Sequence, residues 1–442
     1  MNPFLGMALV VSAFAALLAS LYAWQRRHPV HPEVLRKLMH VGMGLTALTF
    51  PWLFQNTWPV LSLSGGFVIL LFLLRTNGPL ARRWQDVLGR DRRVSFGELY
   101  FPVSVGLLFQ FSNGDPILYG IPVLLLTFAD SASALIGQRY GLQPYSTEES
   151  FKTVEGSMAF FTVAFLSIHV PLLLLTTTGR EESLLIGLTL GLLATMLESV
   201  GWRGLDNLLV PLGSFVLLKS YLRMETGELH LIFVCLVLLL AFMVFQHRHT
   251  TLKESALLGS TLFCYAIWSV GGWHWLIAPL ILLGTYTWFS PRAEANLQRI
   301  FDNQAVISVA ASGLPWLFLA RTLDQSDMRL PYDLSFAAHL AIVGLVRLKR
   351  ARSTKSGASL LGLVILSAWL LVFVPFFLAE GADRKALMQA LCALPGIVLA
   401  TLIFYRTQPG LDDCPNNVER WVRQTMASAV GSATGLMSIF VN

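Results

Sequence analysis

Charge is scarce in this chain. Only 13% of its residues are Asp, Glu, Lys or Arg, against about 25% in a typical soluble domain. With 55% hydrophobic residues and a mean hydropathy of +0.61, it has too little polar surface to cover a water-soluble globule. Cysteine is scarce too: Cys235, Cys264, Cys392 and Cys414 form no close-spaced pair, which excludes a zinc site and a disulfide framework. No basic residue precedes the first apolar run, and Arg26 and Arg27 follow it instead. That order is the reverse of a secretory signal and implies a retained helix with its N-terminus outside. No Gly-Lys-Ser/Thr ending occurs where a Walker A loop would need it. Strict apolar–polar alternation is also lacking, which excludes a membrane β-barrel.

What the chain does have is continuous apolar runs. Phe4–Trp24, Ser157–Leu175 and Leu229–Phe245 approach the ~20 residues that span a bilayer as helix. A spanning segment must satisfy its own backbone hydrogen bonds, so the expected fold is an all-α polytopic transmembrane bundle of about 14–16 segments. The runs place helices near 4–24, 38–55, 58–74, 99–111, 118–137, 157–177, 184–199, 207–220 and 229–246. A second set follows near 254–270, 275–290, 305–320, 334–346, 358–378, 388–405 and 425–441. Alternating loops then put 25 of the 32 lysines and arginines on the cytoplasmic side. On this topology Arg90, Gln143 and Ser353 face the cytoplasm, while Ser183 and Gln325 face outside. The net charge of +6 reflects those loops and does not point to nucleic acid.

A polar junction at His247–Lys253 divides the chain into domains 1–246 and 247–442. In the first, Asp130 and Glu198 stand inside apolar segments; in the second, the eleven acidic residues from Glu254 to Glu419 fall at or beyond helix ends. An ionisable residue at membrane depth is expensive and usually functional, so chemistry is expected in the first domain and the second is expected to be non-catalytic.

Four polar stretches of the first domain share the cytoplasmic face. Arg36, Lys37 and His40 can lie on one side of a helix entrance, where Arg and Lys also suit a membrane anchor but an imidazole is not needed for one. His28 and His31 nearby fit no standard metal spacing. Phe96-Gly97-Glu98-Leu99-Tyr100-Phe101-Pro102 reads as a helix start with interfacial aromatics. The third stretch runs from Ala129-Asp130 through Arg139-Tyr140-Gly141 to Lys152-Thr153-Val154-Glu155-Gly156-Ser157. Asp130 there sits about 10 Å inside a helix end, on a stripe with Ala134, Gly137 and Gly141. Small residues on a stripe suit tight helix packing. Fixed cations, backbone N–H groups at a helix start and a carboxylate for Mg²⁺ equally suit a nucleotide polyphosphate. The fourth stretch, Glu198 to Pro211, brings Glu198, Asp206 and Asn207 around a short turn.

In order, these stretches read Arg-Lys-x-x-His, Gly-Glu-x-Tyr-Phe-Pro, Ala-Asp with a following Gly-x-Arg-Tyr-Gly, Lys-Thr-x-Glu-Gly-Ser, and Glu-Ser with a following Asp-Asn-Leu-x-Val-Pro. From Glu33 to Pro211 the chain thereby resembles the dolichol kinase and phytol kinase family, which is related to the phosphatidate cytidylyltransferases. The resemblance implies an integral membrane enzyme of a bacterial inner membrane or its equivalent, with its active site on the cytoplasmic face. It would use CTP or UTP with Mg²⁺ to phosphorylate a long isoprenoid alcohol. Asp130, Lys152, Glu155, Glu198, Asp206 and Asn207 match family motif positions. Asp130, Lys152, Glu155, Glu198 and Asp206 are then the expected catalytic set, with Asp130 and Glu155 or Glu198 holding the metal. Lys152 and Arg139 would hold phosphates, joined in a nucleotide site by Gly137, Gly141, Gly156, Ser157, Asn207, Arg36, Lys37 and His40. Asp206 and His40 are the candidate general bases. The chain departs from plant-type phytol kinases in carrying Ala129 and Ser131 around Asp130, and Ala134 in place of a second aspartate; Thr153 replaces the usual serine.

The second domain carries a fainter resemblance to the phytyl-phosphate kinase-like membrane family, through Gly271-Gly272-Trp273, Asp302-Asn303-Gln304-Ala305-Val306 and Lys355-Ser356-Gly357. Where that family has a carboxylate-bearing segment, this chain has Ala337-Ala338-His339-Leu340-Ala341, which fits a scaffold or dimerisation role. Two other functions compete with the kinase reading. A cytidylyltransferase would have a lipid phosphate attack the α-phosphorus of CTP, and a transporter would use the membrane polar residues as a path. The clustering of acidic positions toward one face speaks against the transporter.

Overall fold

The computed structural model describes residues 2–28, 30–76, 96–147, 151–247, 250, 252–288, 301, 303–323, 328–350, 357–381, 384–411 and 414–440. Arg90, Gln325, Ser353, Lys355, Ser356, Asp302 and most of the basic stretch after Arg75 lie outside these residues. The chain forms two compact units, Met1–Leu236 and Val237–Asn442. The division falls within a helix, Thr226–His247, where the sequence suggested the polar junction just beyond it.

The first unit consists of α1 (Pro3–Arg27), α2 (Pro32–Leu48), α3 (Phe50–Leu53), α4 (Trp58–Thr76), α5 (Gly97–Ser112), α6 (Pro116–Leu124), a π-helical turn (Leu125–Ala129), α7 (Asp130–Tyr140), strands β1 (Pro144–Ser146) and β2 (Phe151–Thr153), α8 (Val154–Leu175), α9 (Arg180–Val200) and α10 (Asp206–Tyr221). α11 (Thr226–His247) leads into the second unit: α12 (Glu254–Gly271), α13 (Trp273–Trp288), α14 (Asn303–Leu323), α15 (Arg329–Arg350), α16 (Gly357–Glu380), α17 (Arg384–Cys392), α18 (Leu394–Thr407) and α19 (Val418–Ala433). Among the described residues, eight helices are long and apolar enough to cross a membrane: α1, the continuous run Pro116–Tyr140, α8, α9, α11, α14, most of α16, and the α17–α18 run. The fold is therefore an all-α polytopic bundle. Other expected segments are shorter, such as α5 with 16 residues, or amphipathic and turned inward, such as α15 and α19.

Local sequence explains the helix ends that matter. Asp115 caps α6 by accepting from the Ile117 and Leu118 N–H groups, and Pro116 fills the first helical position, where a missing N–H costs nothing. Thr153 caps α8 by accepting from Gly156 N at 3.2 Å. Arg203 and Gly204 take left-handed φ values of 53° and 80°, which turns the chain sharply between α9 and α10. Phe101, Leu108, Tyr119 and Val123 pack with Val10 and Phe50 into the core of the first unit.

One sequence expectation needs correction in the second unit. Asp333 does not lie outside a helix end: α15 begins at Arg329, and Asp333 is buried inside it. Arg329, one turn earlier, stands 3.4 Å from its carboxylate and supplies the charge that allows the helix to extend this far.

Candidate active site

The site grows from a turn that breaks helical phase. In the π turn the Asp130 N–H reaches back to Leu125 O, five residues away, instead of to Leu126 O. The Leu126 carbonyl meets His40 Nε2 of α2 at 2.8 Å, which makes that nitrogen the protonated one. Close approach of α2 makes this contact possible. A Cβ on Gly44 would fall within 2.0 Å of Thr127 Oγ1, so only glycine fits there without a shift of Thr127.

The same approach delivers Lys37. Its ammonium, on a side chain only 4% exposed, lies 2.6 Å from Asp130 Oδ2, and His40 Nε2 lies 3.5 Å from the same oxygen. Asp130 stands ten residues before the end of α7, about 15 Å along the axis. A carboxylate at that depth is tolerated because a buried cation faces it.

A second ion pair stands at the end of the α8–α9 hairpin. Strands β1 and β2 pair antiparallel, with Tyr145 opposite Lys152. Cross-strand partners share a face of the ribbon, so both side chains reach α9. Lys152 Nζ lies 2.7 Å from Glu198 Oε1 and also donates to the Glu198 carbonyl. Tyr145 OH bonds Ser157 Oγ at 2.8 Å and Ser199 Oγ at 3.0 Å. Burial works against the Lys152 charge, but Glu198 and then Asp206 outweigh it and hold the ammonium above the ordinary lysine range. Burial, joined by Glu198, pushes the Tyr145 phenol up.

The remaining expected residues take less central places. Arg36 pairs within its own helix, with Nη2 2.5 Å and Nε 3.0 Å from the two oxygens of Glu33. Asn207 donates to Gly97 O at 3.0 Å and its own carbonyl accepts from Ser104 at 2.6 Å, so it braces α10 against α5. Gly137 and Gly156 let α7 and α8 touch: a Cβ on Gly156 would meet Ser133 O at 3.0 Å and Gly137 Cα at 3.2 Å. Gly141 packs against Thr153 in the same seam. These three glycines are thus explained by packing. Arg139 is exposed, its guanidinium 5.4 Å from the Tyr140 ring. Glu155 accepts from Gln143 N at 3.3 Å at the outer start of α8.

Among the described residues no three His, Cys, Asp or Glu side chains converge as a metal cage, so Asp130, Glu155 and Glu198 are not assembled as a trio. Mg²⁺ does not require such a cage, because it is usually held by one or two carboxylates together with substrate phosphates and water. The donor set present fits a metal that arrives with a polyphosphate.

Beside the Asp130–Lys37 pair lies a feature that sequence reasoning missed. A cavity of about 320 Å³ is bounded mainly by apolar side chains of α1, α2, α4 and α5, including Phe14, Met43, Phe67 and Val105. Arg36, His40, Glu98 and Asn207, with Ser64 of α4, supply its polar groups. Along α2 its wall runs from Arg36 to Ala47, about 16 Å. No sequence periodicity could have revealed it, since each wall is an ordinary apolar helix face. Tyr145 and Ser199 were also missed, and their only signal is proximity to Lys152 and Glu198.

Over 184 residues the chain is 34% identical to the phytol kinase of a Synechocystis species, an overlap covering 41% of this chain and 76% of that one. It is also 32% identical over 151 residues to the CTP-dependent diacylglycerol kinase 1 of Saccharomyces cerevisiae, covering 31% of this chain and 50% of that protein. No family model matches the chain, and no solved structure gives a significant match.

Proposed function

This chain belongs to the phytol and polyprenol kinase family, and on that premise we propose that it transfers the γ-phosphoryl group of CTP, or of UTP, to a long-chain isoprenoid alcohol. One observation carries the reading. An apolar cavity of about 320 Å³ has its polar part at Arg36 and His40, and His40 also touches the Asp130 carboxylate. A single hydrocarbon chain in that cavity would leave its hydroxyl beside the buried charges.

The acceptor oxygen attacks the γ-phosphorus, the bond to the β–γ bridging oxygen breaks, and the nucleoside diphosphate leaves. Such a transfer needs positioning and charge neutralisation more than covalent help from the protein. Lys152 and Arg139 hold phosphate oxygens, with Lys152 acting as a point charge. Asp130 and Glu198 would hold Mg²⁺, which supplies further neutralisation when bound. Lys37 is placed to exchange its carboxylate partner for a phosphate. Of the two candidate proton acceptors, His40 lines the cavity and Asp206 does not. The site faces the cytoplasm on this reading, with Gln143 inside and Ser183 outside.

A labelling experiment tests the transfer. Purified protein given γ-labelled CTP and phytol or a polyprenol should yield labelled lipid, whereas α-labelled CTP should not. Label arriving only from the α position would assign a cytidylyltransferase. Faster labelling of diacylglycerol than of any isoprenoid alcohol would overturn the choice of acceptor.

A further inference from the structure

Two serines and a tyrosine beside the Lys152–Glu198 pair form a hydrogen-bonded row whose direction is fixed from one end. Ser199 Oγ lies 2.9 Å from Thr195 O, one turn earlier in α9. A carbonyl oxygen only accepts, so the serine proton is spent there. Tyr145 OH, 3.0 Å from Ser199 Oγ, must then supply the proton of that bond. Burial pushes the phenol up, so this proton is present at neutral pH. A phenol has one proton, and Ser157 Oγ at 2.8 Å is left to donate to Tyr145. The row therefore runs from Ser157 through Tyr145 and Ser199 to Thr195, each proton directed on toward α9.

This direction decides what Ser157 can do for a ligand. The residue stands half-buried in the first turn of α8. Its proton is committed to Tyr145, so only oxygen lone pairs remain for anything outside the row. A phosphate oxygen needs donors and gains nothing from such a hydroxyl. A divalent cation needs lone pairs, and in P-loop enzymes a hydroxyl on the helix that follows the loop holds Mg²⁺. Negative charge for a cation stands close by. Glu198 uses Oε1 for Lys152, whereas its Oε2 meets Ser199 Oγ only at 3.5 Å. Asp206 acts on the same ammonium.

We propose that Ser157 Oγ is a ligand of the divalent cation, and that Tyr145 is the positioning residue that turns its proton away. A partner that orients a ligand by hydrogen bonding is worth about 10–100-fold in metal affinity. The inference rests on the reading of this site as one for a metal–nucleotide, and it puts a metal contact at Ser157 where sequence suggested a phosphate contact.

The test measures Mn²⁺ binding by electron paramagnetic resonance, using the full chain in nanodiscs with CTP and no acceptor lipid. Ser157→Ala and Tyr145→Phe should each weaken Mn²⁺ binding by about tenfold or more. The double variant should bind no more weakly than Ser157→Ala, because the tyrosine acts through the serine. Ser157→Cys supplies the rescue, since a thiolate prefers a soft cation to Mg²⁺. Its transfer of γ-label, lost with Mg²⁺, should rise about tenfold when Cd²⁺ is added, with no such gain in wild type. Wild-type Mn²⁺ affinity in Tyr145→Phe, additive losses in the double variant, or a Ser157→Cys protein indifferent to Cd²⁺ would overturn the proposal. A wild type that binds Mn²⁺ with CTP and gives the expected binding series, yet transfers no γ-label, would uphold the metal ligand and overturn the kinase reading instead. A wild type that binds no Mn²⁺ with CTP would overturn both.

Discussion

Asp130 Oδ2 and Lys37 Nζ lie 2.6 Å apart across 93 residues of sequence, tying α2 to the first residue of α7. Either partner alone would be a strongly disfavoured buried charge, and this reciprocity governs what substitution should do.

Removing one charge strands the other. Asp130→Asn and Lys37→Met should each lower stability by about 3 kcal/mol. The double variant should recover most of that loss, because both charges are gone. Turnover should not recover: all three variants should fall at least a hundredfold, about 2.7 kcal/mol in transition-state terms. Unfolding in detergent beside a kinase assay closes this cycle. A double variant that regained activity together with stability would make the pair purely structural.

Lys152 should act on nucleotide and on rate together. If Lys152 holds phosphate as proposed, Lys152→Met removes a contact made in both ground and transition states, so KM for CTP should rise while kcat falls. Its effect on stability has a defined pH sign. The folded ammonium is held above its ordinary 10.5. The stabilisation is therefore complete below the unfolded value and is lost only as pH rises through the folded one. As pH rises from about 8 to 9 the difference in melting temperature between wild type and Lys152→Met should not shrink. A gap that narrows toward pH 9 would mean that the pair with Glu198 does not persist in solution, whereas narrowing toward acid pH reports protonation of the Glu198 stranded in the variant.

Two glycines in helices should respond oppositely to alanine. At Gly65 of α4 an added Cβ meets nothing within 4 Å, so Gly65→Ala should stabilise by about 0.5–1 kcal/mol through helix propensity. At Gly44 it would collide with Thr127, and Gly44→Ala should destabilise by about 1–3 kcal/mol as overpacking. Because Thr127 belongs to the π turn, activity should also fall in the second variant and not in the first. Thermal unfolding and turnover of the two proteins decide this.

Cavity length should set acceptor preference. Ala47 lines the cavity eleven residues beyond Arg36, so Ala47→Leu shortens the space far from the charged end. Long polyprenols should lose about tenfold in kcat/KM, about 1.4 kcal/mol, while a ten-carbon alcohol should be unaffected. Equal losses for both would place the chain elsewhere.

Much of this was legible in sequence for simple reasons. Unbroken apolar runs leave a chain no fold but helices in a membrane, and Asp130, Lys152 and Glu198 stood out because apolar runs rarely contain them. Pairings were not legible, since nothing in one dimension says that Lys37 meets Asp130 or that Lys152 meets Glu198. Arg36 is different, because Glu33 three residues before it is a helix-surface neighbour, and its commitment to that partner could have been read directly. The β1–β2 ribbon escaped notice because each strand has three residues, too few for a period to register. Asp333 was placed outside its helix because apolar patterning starts after it, whereas Arg329 extends the helix backward by neutralising it.

The π turn at Leu125–Ala129 can also be regarded as a phase shifter. Each residue of an α-helix advances the side chains by about 100°, and a π turn holds one residue more than its α counterpart. The run Pro116–Tyr140 is therefore two helices of the same axis set out of step by one residue. Upstream of the turn, phase is fixed by the core around Tyr119 and Val123. Downstream it is fixed by the Gly137–Gly156 seam. Asp130 faces Lys37 while both constraints hold and the turn takes up the extra residue. Closing the turn into regular α-helix with every residue kept would rotate the carboxylate by roughly a quarter of a circle relative to the upstream core, while changing no residue that touches Lys37. A one-residue deletion between Leu125 and Ala129 is absorbed when the turn becomes α-helical, whereas a one-residue insertion there has no such outlet.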